Sequence, residues 1–128
     1  MSKTVDFLHE AKVFFHATAD GMQAQVRPIN SVMVYDGKIY FETSNKKAMY
    51  RQMLENPNIA VCGMADSKWI RLTGKAVMDE SDEAKQAIFE EIPALKKVYS
   101  YEELVPYYIA DMKSVVYSFG AEPVVLDD

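Results

Sequence analysis

The sequence predicts a mainly β protein in which six or seven short antiparallel strands close into a barrel beside a few flanking helices. Two Asp-Gly pairs, Asp20-Gly21 and Asp36-Gly37, separate stretches rich in β-forming residues, as tight hairpin turns do. Other segments alternate apolar and polar residues with the period of a half-buried strand. Because few segments have helical spacing, the strands must cover each other's edges, which a barrel achieves.

Length and composition predict a single soluble domain. The chain has 128 residues, enough for one core, so we expect one domain over residues 1–128. Hydrophobic residues make up 49% and charged residues 26%, and no segment approaches the roughly 20 apolar residues of a membrane span. The formal net charge of −5 argues against a nucleic-acid surface, because phosphate contacts need clustered basic residues.

The N-terminal residues and the single cysteine predict a cytoplasmic protein. Asp6, Glu10 and Lys12 stand where a signal peptide requires an apolar stretch. Cys62 is the only cysteine, so an internal disulfide is impossible and a reducing compartment is the natural environment. We therefore expect neither a membrane nor a nucleic acid as a partner.

The first half of the chain is predicted to be a short helix followed by a meander of strands. Val5, Leu8, Ala11 and Val13 recur near helical spacing behind Ser2 and Thr4, both of which are possible N-caps. Pro28 cannot donate a ladder hydrogen bond, which places its strand at a sheet edge or in a bulge. The predicted strands span residues 12–19, 23–30, 31–35 and 38–43.

Alternation in the fourth predicted strand assigns its two faces. Ile39 and Phe41 point one way. Lys38, Tyr40 and Glu42 point the other way, the pattern of a strand with one buried face. We therefore expect the second group to face solvent.

A helix is predicted to start near Lys46, directly after that strand, and to end before Pro57. The turn between strand and helix leaves backbone N–H groups unpaired, and the helix dipole makes this end positive. Lys46 and Lys47 add cations where the dipole disfavours them, which indicates a bound anion such as a phosphate. Alternatively, Ser44 or Asn45 is an ordinary N-cap and both lysines are solvated.

The second half is predicted to complete the barrel. Residues 58–65 form a buried strand, and the next strand buries Ile70 and Leu72 on one face. Ser81 begins a helix that Pro93 interrupts, with a second short helix after it. The remaining predicted strands span residues 69–78, 112–119 and 123–126, and residues 99–108 receive no assignment.

Five landmarks in the chain resemble a known family. In order they read AKVFFHATADG, VRPINSVMVYDGKIYFETSNKK, the Asn-Pro pair that closes the central helix, WIRLTGKAV and YSFGAEP. Together they are similar to the pyridoxamine 5′-phosphate oxidase-like flavoproteins, and more to the small stress-protein-like branch than to the full-length vitamin B6 oxidases. The resemblance implies an FMN-binding split β-barrel and a homodimer with the flavin at its interface.

The resemblance also implies which residues bind the flavin. Lys46 and Lys47 correspond to contacts with the phosphate. Thr43 and Ser44 correspond to contacts with the ring edge or the ribityl chain, and Trp69 to the position that reaches the flavin across the dimer interface. The implied cofactor-binding residues are Arg27, Pro28, Ile29, Asn30, Thr43, Ser44, Lys46, Lys47 and Trp69.

The chain departs from the family pattern in two places. The first flavin segment of the family usually ends with a lysine, where this chain has Val32. The longer oxidases carry a C-terminal substrate-binding part rich in Trp and Arg, whereas this chain ends at Asp128. We therefore do not expect pyridoxamine phosphate to be the substrate.

The sequence points to cofactor chemistry, and it assigns no catalytic side chain and no metal site. His9, His16 and Cys62 lack metal-ligand spacing. A flavin needs mainly orientation and electrostatics from the protein, so the first hypothesis is an FMN-dependent oxidoreductase acting on an unidentified small molecule. Three alternatives remain: a non-catalytic flavin-binding module for storage or stress response, a split barrel using deazaflavin or haem, and an interaction protein without cofactor.

Overall fold

The computed structural model describes residues 2–128. The helices are α1 (Lys3–Ala11), α2 (Ala48–Glu55) and α3 (Asp82–Glu91), with a 3₁₀ helix over Pro93–Lys97. The strands are β1 (Phe14–Asp20), β2 (Gln23–Ile29), β3 (Met33–Tyr35), β4 (Lys38–Ser44), β5 (Asn58–Ala65), β6 (Lys68–Met78), β7 (Leu104–Ser118) and β8 (Val124–Leu126). None of the helices in this range is long and apolar enough to cross a membrane.

All the strands join one antiparallel sheet. Its order is β2-β1-β5-β6-β7-β4-β3, and β8 pairs with β7. The two ends of this path, β2 and β3, do not pair with each other within residues 2–128, so the barrel is split along that line rather than closed. The mainly β split barrel is therefore confirmed, with eight strands, two of which have only three residues.

Local sequence signals produce the starts of α1 and α3 and the turn between β3 and β4. The hydroxyls of Ser2 and Ser81 accept hydrogen bonds from the amides three residues further on and cap α1 and α3. Asp36 and Gly37 both have positive φ, at 51° and 71°, which joins β3 and β4 through a tight hairpin turn. These signals act within a few residues of the chain and need no tertiary contact.

The position of Pro28 follows from its missing N–H group. β2 is an end strand of the sheet, and its pairing with β1 continues without a shift through Phe15 and Pro28. Of the two options that a proline in a strand leaves open, the structure therefore adopts the sheet edge and not the bulge.

β4 is covered on both faces, which corrects the prediction of one exposed face. Ile39 and Phe41 lie in the main core, as predicted. Tyr40, on the opposite face, is only 2% exposed because α3 and the 3₁₀ helix pack over it. Its hydroxyl donates to Asp79 Oδ2 at 2.6 Å. Alternation alone cannot reveal a second layer contributed by a distant helix.

β5 and β6 form the middle of the sheet. Ile70 and Leu72 are fully buried, as their alternation predicts. β5 is buried on one face only, because Val61 lies in the core whereas Met64 is 59% exposed. The strand predicted over residues 58–65 is therefore confirmed, but its burial is corrected to one face.

β7 is the longest strand and covers the second half of the segment over residues 99–108 that received no assignment. It begins at Leu104, eight residues before the predicted strand over 112–119. Its first residues show no alternation because both faces are buried. The carbonyl of Pro106 accepts from the amide of Asp79, just beyond the last residue of β6. Pro106 therefore lies where the pairing between β6 and β7 ends, and a residue without an N–H group is tolerated there.

Candidate functional site

A cleft of about 310 Å³ opens where four segments of the chain meet. These are the end of β2, the end of β4, the start of α2 and the segment after the 3₁₀ helix. The cleft is lined by residues 27–30, 42–43 and 47–49, together with Tyr99.

The N-terminus of α2 contributes free backbone amides to this cleft. The N-cap residue, Lys47, makes no side-chain capping bond. The helix begins at Ala48, two residues later than predicted, because the Ser44 hydroxyl accepts from the Lys46 amide at 3.1 Å and holds the turn outside the helix. Ala48 and Met49 occupy the first helical positions, whose amides have no acceptor within a helix. Such an end attracts an anion.

Thr43 brings an unpaired polar atom to the same cleft. Its side chain is only 1% exposed, and its hydroxyl has no hydrogen-bond partner in the structure. Leaving a buried hydroxyl unpaired costs about 1 to 3 kcal/mol, so a ligand that bonds to it gains that amount. Thr43 thus supplies a second, independent indication of a polar ligand beside the uncapped helix.

Arg27 is held rigidly beside the cleft. Its Nη1 donates to the His16 carbonyl at 3.1 Å and to Thr18 Oγ1 at 2.8 Å, and its Nη2 donates to Gln52 Oε1 at 3.1 Å. The Thr18 hydroxyl donates to the same Gln52 oxygen at 2.6 Å. These bonds fasten β2 to β1 and α2 and use only part of the five N–H donors of the guanidinium, so the others remain for a ligand.

Lys47 supplies the second cation and is positioned by Tyr99. The Lys47 ammonium donates to the Tyr99 hydroxyl at 2.7 Å and lies 5.1 Å from the centre of the Tyr99 ring. Tyr99 lies in the segment without a sequence assignment, 52 residues further along the chain. The lysine side chain remains exposed, so the ammonium is available to an anion at the mouth of the cleft.

Glu42 is a carboxyl group within this otherwise cationic cleft. The side chain is half-buried on the outer face of β4, next to Thr43. Burial raises the pKa of Glu42 to about 7, although the charge of Lys47 and the hydroxyl of Ser31 favour the ionised form. The charge of the cleft therefore changes near neutral pH.

A buried histidine lies behind Arg27. His16 is fully buried, and the Tyr107 hydroxyl and His16 Nε2 lie 3.0 Å apart in a hydrogen bond. Burial, and to a smaller extent the charge of Arg27, lowers the pKa of His16 to about 4. The Nδ1 atom has no partner. His16 is therefore a neutral group of the barrel interior at physiological pH and is not part of the cleft lining.

A family model matches most of the chain. The model described as pyridoxamine 5′-phosphate oxidase matches residues 1–110 of the chain. The chain belongs to the pyridoxamine 5′-phosphate oxidase family. No curated protein matches the chain by sequence.

Solved structures resemble this member of the pyridoxamine 5′-phosphate oxidase family over most of its length. A NimC/NimA family protein from Clostridium acetobutylicum is 35% identical, with a TM-score of 0.90 over 95% of this chain and 87% of that one. General Stress Protein 26 from Bacillus anthracis str. Sterne is 18% identical, with a TM-score of 0.73 over 97% and 96%. A heme binding protein from Mycobacterium smegmatis is 16% identical, with a TM-score of 0.71 over 92% and 57%. The last two likenesses show the fold alone.

The cleft brings together six of the nine residues that the family resemblance implies. The six are Arg27, Pro28, Ile29, Asn30, Thr43 and Lys47. The other three residues do not line the cleft. Ser44 is buried in the turn, and the Lys46 ammonium lies 3.5 Å from Glu103 Oε2 with the side chain 79% exposed. Trp69 lies in a separate apolar hollow at the end of β5 and the start of β6.

The position of the family's missing lysine is part of the core. Val32 is 3% exposed and packs with the main hydrophobic cluster. Its carbonyl lies 3.1 Å from Nε2 of His9. The Val32 side chain therefore packs in the core and does not line the cleft. The cations that line the cleft are Arg27 and Lys47.

Sequence reasoning missed Glu42 and Tyr99 as lining residues. The residues matched to the family motif include no carboxylate, but the cleft contains one, because the fold half-buries Glu42 in its lining. Its position immediately before Thr43 is the signal that could have identified it. Tyr99 had no such signal, because only the tertiary fold brings it to Lys47. Within residues 2–128, no group of three His, Cys, Asp or Glu side chains could hold a metal.

Proposed function

We propose that the cleft binds FMN, with the phosphate at the start of α2, and that the protein is an FMN-dependent oxidoreductase acting on a small molecule. One observation carries the proposal: the uncapped helix start, the unpaired Thr43 hydroxyl and the two cations Arg27 and Lys47 all line one cleft. Membership of the pyridoxamine 5′-phosphate oxidase family supports the choice of a flavin among anionic cofactors.

In this proposal the residues of the cleft bind and orient the cofactor. Thr43, Lys47 and the amides of Ala48 and Met49 hold the phosphate, and Arg27 with the segment after it extends along the rest of the ligand. FMN, when bound, supplies hydride transfer. No histidine or cysteine lines the cleft, so we expect cleft mutations to act through cofactor occupancy.

The absorption spectrum of the purified protein tests the cofactor. We expect the visible bands of an oxidised flavin, and FMN as the chromophore released on denaturation and identified by mass spectrometry. The haem-binding neighbour makes haem the relevant competitor. Met49 and Tyr99 are the lining residues with side chains that can ligate haem iron. A haem spectrum, or a colourless protein that takes up no added FMN, would overturn the proposal.

Turnover separates an enzyme from a flavin-binding module. FMN-loaded protein is mixed with nicotinamide donors, and flavin bleaching is followed before and after small oxidised acceptors are added. Reduction followed by reoxidation with an acceptor supports the oxidoreductase. FMN binding without reduction by any donor favours the storage or stress-response module instead.

We further propose a homodimer formed through an apolar end surface, made up of Phe15, Met64, Trp69 and Phe119. Phe15 is 50%, Met64 59% and Phe119 81% exposed, and the four side chains line a hollow of about 380 Å³. Exposed apolar groups clustered in this way mark an interface. The family resemblance assigns Trp69 to a flavin bound across a dimer interface, so a second copy of the chain is the proposed occupant.

Replacing Phe119 with aspartate is expected to dissociate the dimer. Phe119 is exposed in the single chain, so the change costs the isolated fold little but places a charge in the interface. Light scattering should give twice the 14.5 kDa chain mass for the wild type and the single-chain mass for Phe119→Asp. Met22→Asp, at the exposed β1–β2 turn, is the matched control and should remain dimeric. A wild type that binds flavin as a monomer would contradict the proposal.

A further inference from the structure

Glu42 opposes the charge that the proposed ligand requires. It lines the same cleft as Arg27 and Lys47, and it lies opposite Pro106 on the paired strand β7. The ion pairs found in residues 2–128 join Asp36 to Lys38 and Lys46 to Glu103, so no ion pair neutralises Glu42. A carboxylate at this position repels a phosphate and weakens its binding.

The groups around Glu42 leave it as the site's proton acceptor near neutral pH. Lys47 at the start of α2, Arg27 on β2 and Tyr99 after the 3₁₀ helix line the cleft with it, and the charge of Lys47 acts on it. On the barrel side, Tyr107 of β7 has a pKa raised well above its ordinary value by burial, first of all, and by the charge of Glu42. The pKa of Glu42 itself lies near 7 because the carboxyl is desolvated.

Charge balance connects this carboxyl to phosphate binding. With Glu42 ionised, the formal charges of Arg27, Lys47 and Glu42 add to one positive charge, and with Glu42 protonated they add to two. A phosphate monoester carries about −1.5 to −2 charges at pH 7. The protonated cleft therefore matches a phosphate monoester, and the ionised cleft leaves an excess negative charge in a partly buried site.

We propose that a phosphate monoester binds in this cleft together with one proton, which Glu42 takes up from solvent, so that Glu42 sets the pH range in which the cleft is loaded. The inference rests on the proposed function, because FMN is the phosphate monoester concerned. It assigns a role to a residue that lies outside the family motif and differs in charge from every other ionised group lining the cleft.

Titrations with FMN between pH 7.5 and 9 test the proposal, because the phosphate is fully ionised throughout this range. Flavin fluorescence gives the dissociation constant for the wild type and for Glu42→Gln, which keeps the size of the side chain without its charge. The wild-type affinity should fall about tenfold per pH unit, as expected when one proton is bound with the ligand. The Glu42→Gln affinity should stay constant within threefold.

Two further measurements use the wild-type protein alone. Riboflavin, which lacks the phosphate, should bind with an affinity that does not change over the same pH range. Calorimetry of FMN binding at pH 8 in buffers of different ionisation enthalpy should show uptake of close to one proton. Both measurements test whether proton uptake is coupled to phosphate binding, even if Glu42→Gln does not fold.

The outcomes separate this inference from the proposed function. FMN binding with a constant affinity and no proton uptake would overturn the role of Glu42 while leaving FMN as the cofactor. An equal pH dependence for riboflavin would also overturn it, because proton uptake would then be coupled to binding of the ring and not of the phosphate. Absence of FMN binding at pH 6.5, where the cleft is most positive, would overturn both proposals.

Discussion

Replacing Lys47 with alanine is expected to weaken FMN binding about ten- to thirtyfold, or about 1.4 to 2 kcal/mol. The Lys47 ammonium is held beside the uncapped start of α2 by its bond to Tyr99, so it is pre-positioned for the phosphate. The side chain is exposed, and solvent screening keeps the expected loss near the lower end of the range for charged hydrogen bonds. Fluorescence titration at pH 6.5 measures the change.

Lys46 provides a matched control one residue away. Its ammonium extends towards Glu103 and does not line the cleft, so Lys46→Ala should change the affinity less than threefold. The two variants have the same net charge and the same loss of side chain, which removes non-specific electrostatics as an explanation. Equal effects at the two positions, or a larger effect at Lys46, would refute the placement of the phosphate at this end of the cleft.

Acid is expected to destabilise the fold through His16. Burial holds the pKa of His16 at about 4 in the folded protein, against 6.5 for an unperturbed histidine. Folding thus favours the neutral imidazole. The contribution of His16 to the free energy of unfolding is therefore complete above about pH 6.5 and is lost as the pH falls towards 4. The difference corresponds to about 3 kcal/mol of unfolding free energy. Burial of the ring, and to a smaller extent the charge of Arg27, produces this penalty. The Nδ1 atom also has no partner, so a proton there would lack an acceptor.

Urea unfolding at several pH values between 7.5 and 4 measures this loss. Burial raises the pKa of Glu42 to about 7, which stabilises the fold as the pH falls through the same range, so the His16 contribution is the difference between wild type and variant. The stability of His16→Leu relative to the wild type should therefore rise by about 3 kcal/mol between pH 7.5 and 4. His9→Gln should follow the wild type, because His9 is an exposed residue of α1. NMR titration of the wild-type imidazole provides a second reading that needs no variant. A His16 ring that titrates between pH 6 and 7 would refute the prediction.

The sequence by itself determined the elements whose signals lie within a few residues. Ser2 and Ser81 cap their helices, and Asp36-Gly37 adopts the positive φ values of a hairpin turn, because the energies involved come from neighbouring backbone groups. Pro28 placed β2 at a sheet edge for an equally local reason, its missing N–H group. The ordered landmarks also determined the family, which the match over residues 1–110 confirms.

Only the tertiary structure decided which residues line the cleft. Lys46 and Lys47 are indistinguishable in the sequence, but Glu103 and Tyr99, more than 50 residues away, direct them to different places. Alternation predicts that Glu42 faces solvent, whereas the fold half-buries it in the cleft with Arg27 and Lys47. Such choices depend on contacts between segments far apart in the chain, and local periodicity carries no information about them.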